Sequence, residues 1–135
     1  VMMTPEEAER FIDELYAATG TGDWDKVATM VTDDLIIREA PGLPMGGNYI
    51  GSNALNDLFV KVFAMLDVAS LETVARTYGG DYAVAILKMH FADESLAPAE
   101  LTEVFRFRDG KVCEIVPYYF DPATIHAAAE AKQDN

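Results

Sequence analysis

Apolar residues recur at helical spacing through the first half of the chain and at strand spacing through most of the second. Thr4-Pro5-Glu6-Glu7 forms a capping box with proline at the first helical position, and Ala8, Phe11, Ile12, Leu15 and Thr19 follow at intervals of three and four. Gly20-Thr21-Gly22 ends that helix. Asp23 caps a second, short helix carrying Trp24, Val27, Ala28, Met30 and Val31. Thr32-Asp33-Asp34 breaks it and leads into the strand Leu35-Ile36-Ile37-Arg38-Glu39. A loop rich in proline and glycine, 40–47, separates this strand from the short extended piece Asn48-Tyr49-Ile50. Ser52 is the expected cap of a third helix, in which Leu55, Leu58, Phe59, Val62, Phe63 and Leu66 form the strongest helical stripe of the chain.

From Ala69 the period changes to two. Strands are expected over Ser70–Tyr78, Tyr82–Phe91, Ala99–Arg108 and Lys111–Phe120, with tight turns at Gly79-Gly80-Asp81 and Asp109-Gly110. Asp121-Pro122 then caps a terminal helix through Ile125 to Ala129, and the tail 130–135 is expected to fray. Helices around one strand, followed by an antiparallel meander, predict an α+β fold with helices on one face of a curved sheet. Residues 1–135 read as one domain, long enough for its own core. Tyr82-Ala83-Val84-Ala85-Ile86-Leu87 is apolar on both faces, so the face turned away from the helices calls for a cover. A second copy of the chain is the simplest one, which predicts a homodimer.

Composition narrows the possibilities further. Hydrophobic residues make up 50% and charged residues 24%, as in a globular protein. The formal net charge of −13, from 23 acids and 10 bases, argues against nucleic acid or an anionic membrane surface as partner. The chain contains no apolar run of the roughly 18 residues that a membrane helix needs. Its start, Val-Met-Met-Thr-Pro-Glu-Glu, has no secretory signal character, so a cytoplasmic protein is expected. The single cysteine, Cys113, lies inside a strand and reads as a small buried hydrophobe. His90 and His126 stand in no metal-ligand spacing, and no glycine loop opens a helix as a phosphate cradle would. Neither a metal nor a cofactor is expected.

The chemistry rests on two carboxylates in apolar settings. Side chains alternate along a strand, so Leu35, Ile37 and Glu39 share a face, as do Leu101, Glu103, Phe105 and Phe107. A carboxyl on an apolar face is driven toward its neutral form unless a cation sits beside it. Arg38, Arg106 and Arg108 are the cations available to Glu39, and Lys88 and His90 those available to Glu103. Tyr16, Tyr49, Tyr118 and Tyr119 are amphipathic wall residues. Phe59, Phe63 and Phe105 supply apolar wall, His90 lies near a strand rim, and Leu43 and Met45 occupy an exposed-looking loop where a lid would carry apolar residues.

The sequence Gly22-Asp23-Trp24-Asp25, Thr32-Asp33-Asp34, Gly51 and Phe105-Arg106-Phe107-Arg108-Asp109-Gly110-Lys111-Val112 resembles the nuclear transport factor 2-like superfamily, in particular its SnoaL-like polyketide cyclase and ketosteroid isomerase branches. The resemblance extends from Pro5 to Ala129. It implies a cone in which a strongly bent, mainly antiparallel sheet wraps three helices around an internal apolar pocket, often in a dimer. It also implies isomerases, cyclases, dehydratases, epoxide hydrolases and pure binding domains. In the isomerase register the base falls on Glu39 and a protonated acid on Glu103. The isomerases' tyrosine falls on Leu15, with Tyr16 beside it about 100° around the helix. In the cyclase register the catalytic aspartate falls on Pro117, with Asp121 nearby.

These readings lead to a pocket protein for a small hydrophobic molecule. The first expectation is a cofactor-free isomerase or cyclase doing acid–base proton transfer on a carbonyl compound. Glu39, Glu103 and Tyr16 are its candidate catalytic residues, and Met45, Tyr49, Phe59, Phe63, His90, Phe105 and Tyr118 its candidate ligand-binding residues. The alternatives are a non-catalytic binding domain of the same fold, and water chemistry of the epoxide hydrolase or dehydratase type.

Overall fold

The computed structural model describes residues 2–134. Helix α1 (Pro5–Thr21) begins at the expected box: Thr4 accepts from the Glu7 amide while the Glu7 carboxylate accepts from the Thr4 amide. It ends at Gly22, whose φ of 71° is the left-handed conformation that glycine takes without penalty. Asp23 caps helix α2 (Trp24–Met30) through the Lys26 amide. Strand β1 (Val31–Glu39) starts at once, so Thr32-Asp33-Asp34 lies inside the strand rather than before it. Strand β2 (Gly47–Ile50) pairs back on β1. Helix α3 (Ala54–Met65) begins after Asn53, which makes no side-chain cap bond, instead of at Ser52. Strands β3 (Val68–Gly79), β4 (Tyr82–Phe91), β5 (Ala99–Arg108) and β6 (Lys111–Tyr119) follow, then helix α4 (Pro122–Gln133) capped by Asp121.

The six strands form one sheet in the order β2-β1-β6-β5-β4-β3. All pairs are antiparallel except β1 with β6. The fold is therefore α+β with a mainly antiparallel sheet, as expected, β1 and β6 being its one parallel pair. Four helices accompany it, the expected terminal one among them. The segment expected to fray is helical through Gln133. The Lys132 ammonium donates to the Phe63 carbonyl at 2.7 Å and lies 3.1 Å from Asp67. Asn135 lies outside the described residues, as does Val1.

The inner sheet face meets the helices and forms the core. Leu35 and Ile37 of β1, Ala83, Ala85 and Leu87 of β4, Leu101 and Phe105 of β5, and Ile115 of β6 are buried there with Ile12 and Leu15 of α1. One irregularity sets which residues of β6 face this core. The turn Asp109-Gly110 has φ of 53° and 75°, the paired left-handed conformations of a two-residue hairpin. That turn alone would place Leu101 opposite Tyr118. A register shift between Arg106 and Phe107 makes Val112 and Cys113 both buried, and Leu101 pairs with Tyr119. A shift of one residue exchanges the two faces of a strand. Tyr119 therefore turns inward, and Tyr118 is 58% exposed on the outer face.

Candidate active site

The register aligns one transverse row across the inner face. Arg76 of β3 pairs with Ala85 of β4, Ala85 with Glu103 of β5, and Glu103 with Pro117 of β6. Beside them β1 and β6 run in parallel with Ile37 opposite Ile115, so Glu39 continues the row two residues on. Glu39 and Glu103 thus flank Pro117, with backbones about 10 Å apart at two strand spacings of roughly 4.8 Å. The pairing of β1 with β6 stops at Ile37 and Ile115. Pro117 has no N–H with which to extend a ladder, and the strands part beyond that point. A cleft of about 520 Å³ opens there between the end of β1, from Arg38 to Pro41, and the end of β6, from Val116 to Tyr119.

Glu39 is the only buried charged residue among the described residues, at 4% exposure, and its Oε1 has no hydrogen-bond partner. The arginines that could have neutralised it are engaged elsewhere. Arg38 and Arg106 both lie against Glu114, at 3.7 and 3.4 Å, and Arg108 is bonded to Asp34. Burial, reinforced by the charge of Glu103, pushes the Glu39 carboxyl up to about 8 from an ordinary 4.5. The loop after it is folded inward. Met45 and Leu43 are core residues, so neither serves as an exposed lid, and Tyr49 donates to the Met45 carbonyl at 2.6 Å. Gly46 is required there, since a Cβ would collide with the carbonyls of Ala40, Leu43 and Pro41.

Glu103 has a different partner from the cations considered for it. Lys88 and His90 lie on the outer face, and His90 meets Glu72 at 2.8 Å. His90 therefore does not join the site. The Tyr16 hydroxyl instead donates to Glu103 Oε1 at 2.6 Å. Burial raises the Glu103 carboxyl, opposed by this hydrogen bond. Burial and the nearby Glu103 charge push the Tyr16 phenol well above its usual range. Leu15, the residue in the isomerases' tyrosine register, is packed in the core. Ala8, Ile12 and Leu15 fix the buried stripe of α1, and Tyr16 lies about 40° from Ile12 at its edge, where it reaches β5.

Phe105 is buried edge-on to the Tyr16 ring, with centroids 6.0 Å apart. Phe59 and Phe63 are partly exposed on α3, stacked at 4.4 Å, with Trp24 against Phe59 at 5.3 Å. They form an aromatic ladder outside the acid row. Tyr118 stands on the outer face at the rim of the cleft, and Tyr119 beside it turns inward. Burial and the charges of Glu39 and Glu103 all push the Tyr119 phenol upward. Arg76, on the same row, is a site residue that the strand pattern alone does not single out. Among the described residues, no three His, Cys, Asp or Glu side chains converge to hold a metal ion, and no helix is long and apolar enough to cross a membrane.

A bent sheet wrapped around helices, with titratable groups on its concave face, defines a nuclear transport factor 2-like fold. Residues 12–115 match the SnoaL-like domain, and the chain belongs to that family. It is similar in structure to an NTF2-like protein from Burkholderia xenovorans LB400, with 18% identity, a TM-score of 0.75, and coverage of 94% of this chain and 98% of that one. TerC, co-crystallised with polyporic acid, matches at 18% identity and a TM-score of 0.76, over 92% and 98% of the two chains. Bal32a, from a soil-derived mobile gene cassette, matches at 14% identity and a TM-score of 0.77, over 93% and 98%. No curated protein sequence matches the chain. The family is one of ligand-binding and isomerase- or cyclase-type proteins.

Proposed function

We propose that the protein is a cofactor-independent isomerase or cyclase that moves a proton on a small hydrophobic carbonyl compound. The observation that carries this reading is an unpartnered buried carboxyl, Glu39, on the same sheet row as a hydrogen-bonded Tyr16–Glu103 pair. Ionised Glu39 takes a proton alpha to the carbonyl, becoming neutral as the substrate becomes an enolate. The same acid then returns the proton to another carbon. A neutral tyrosine and a neutral glutamic acid hold two O–H protons and use one in their mutual contact. The other is free to donate to the enolate oxygen, where a positioned donor is worth about 10²–10³-fold. Tyr119, turned inward at the end of β6 in the wall of the cleft, supplies a further polar group for the carbonyl compound.

Support for a small organic ligand comes from TerC, which shares the fold and was co-crystallised with polyporic acid. The rival reading, a domain that only binds, is favoured by one observation: with a carboxyl at about 8, about a tenth of Glu39 is ionised at pH 7. Turnover separates the two. Cyclic ketones and β,γ-unsaturated ketones in deuterated water should show enzyme-dependent exchange or a shift of conjugation. Glu39→Gln should bind the same ketone and lose at least 10²-fold in turnover, the usual worth of a positioned base. Equal binding by both proteins with turnover by neither replaces this reading with the binding one.

A further inference from the structure

Arg76 stands at the far end of the acid row, where the edge strand β3 meets α1. Its guanidinium carbon lies 5.5 Å from the centre of the Tyr16 ring, in the geometry of a cation over an aromatic face. The same guanidinium bonds Asp13 of α1 at 2.5 Å, one turn before Tyr16. The two contacts make a clamp: Asp13 fixes the fork, and the fork covers the ring. Between Arg76 and Glu103 the row holds only Ala85, which is buried. An alanine leaves space above β4 for the phenol to cross from one strand to the other. The ring is further bounded by Phe105, edge-on.

Most of β3 is exposed on both faces, and Arg76 and Tyr78 are among its few part-buried positions. The guanidinium is drawn in from the edge strand by its ion pair with Asp13 and lies near the Tyr78 hydroxyl, while its Nε stays buried without a hydrogen-bond partner, an arrangement that costs stability of its own. Its position over the Tyr16 ring is the other contact that the guanidinium makes. The groups facing Tyr16 are Glu103 from β5, and Arg76 and Tyr78 from β3. Of these, Arg76 alone opposes the upward push on the phenol.

We propose that Arg76 is a positioning residue, clamped by Asp13, that holds the Tyr16 ring so that its hydroxyl stays on Glu103. The proposal deepens the proton-transfer reading and rests on it for its catalytic meaning. The clamp itself can be read in ligand-free protein. In wild type the Tyr16 hydroxyl proton should give a downfield, slowly exchanging NMR signal, as a short O–H···O bond does. Arg76→Gln should lose that signal and raise the Glu103 carboxyl titration, because the bond from Tyr16 lowers it. Arg76→Lys keeps the charge without the planar face and should restore little of the signal. Asp13→Asn changes an exposed partner, cannot leave a core void, and should weaken the signal in a folded protein.

In turnover, kcat of Arg76→Gln should fall about tenfold with KM within twofold, a part of what a positioned donor is worth. A variant that loses only melting temperature, and keeps both the hydroxyl signal and the Glu103 titration, overturns the proposal. So does loss of the signal with kcat unchanged. If wild type turns over no carbonyl compound, the function fails, while the signal and the titration still decide whether Arg76 holds Tyr16.

Discussion

Glu39 concentrates the physical argument at the scale of a residue. Its folded carboxyl titrates near 8 against an ordinary 4.5. The native state therefore holds its proton more tightly than the unfolded chain does. Below about 4.5 both states are protonated, and this contribution to stability is fully present. Between about 4.5 and 8 the unfolded chain has released the proton while the native state still binds it, so stability falls as pH rises. Above about 8 the loss is complete. The loss is on the order of 3–5 kcal/mol, and Glu103, raised by burial too, adds with the same sign. Glu39→Gln should remove most of this slope. Thermal melts from pH 5 to pH 9 should show the two proteins nearly equal at the acid end and the Gln variant higher at the alkaline end. Parallel melting curves across that range would mean that a cation or water already satisfies Glu39.

Among the elements, strand β6 decides how the site is assembled. Its register shift turns Tyr119 inward and Tyr118 outward, and its Pro117 coincides with the end of the pairing to β1. Tyr119→Phe should therefore weaken ketone binding by about fivefold, the worth of one hydrogen bond of roughly 1 kcal/mol. Tyr118→Phe should change it by less than twofold. Titration calorimetry with one ketone on both variants reads the difference, and the reverse order would place the shift elsewhere. The same strand explains what the sequence could and could not reveal. Helix starts were legible because Thr4, Asp23 and Asp121 cap through their own side chains. The two acids were legible because alternation puts them among apolar neighbours on short strands. Tyr119 was missed beside Tyr118 because a one-residue shift has no mark in composition, only a doubled burial at Val112 and Cys113. Arg76 was hidden because its meaning depends on three strand pairings at once. Met45 misled because its loop looks polar in sequence while its backbone turns the side chain inward.

For the whole molecule, the outer sheet face is the feature left uncovered. Val74, Tyr82, Ile86 and Tyr118 are exposed on or beside it, and Phe120 just beyond β6 is 83% exposed. A shallow groove of about 360 Å³ runs between Val74, Ile86, Tyr118 and Phe120. The net charge of −13 opposes self-association. This face, however, carries Arg38, Lys88 and Arg106 beside Glu72, Glu100 and Glu114, so these charges balance. We propose a homodimer through it. Light scattering at micromolar protein should give about twice 14.8 kDa, and Ile86→Glu should halve that mass. A wild-type monomer at high concentration would contradict the assignment.

The site and the function meet in one measurement, the pH dependence of ketone α-proton exchange. With Glu39 as the base, kcat/KM should rise about tenfold per pH unit through neutrality and level off near pH 8, where the carboxyl is ionised. Glu39→Gln should be slow and without that rise. A wild-type profile flat from pH 6 to pH 9, or a Gln variant that follows the wild-type curve, would contradict the assignment of Glu39 as the catalytic base.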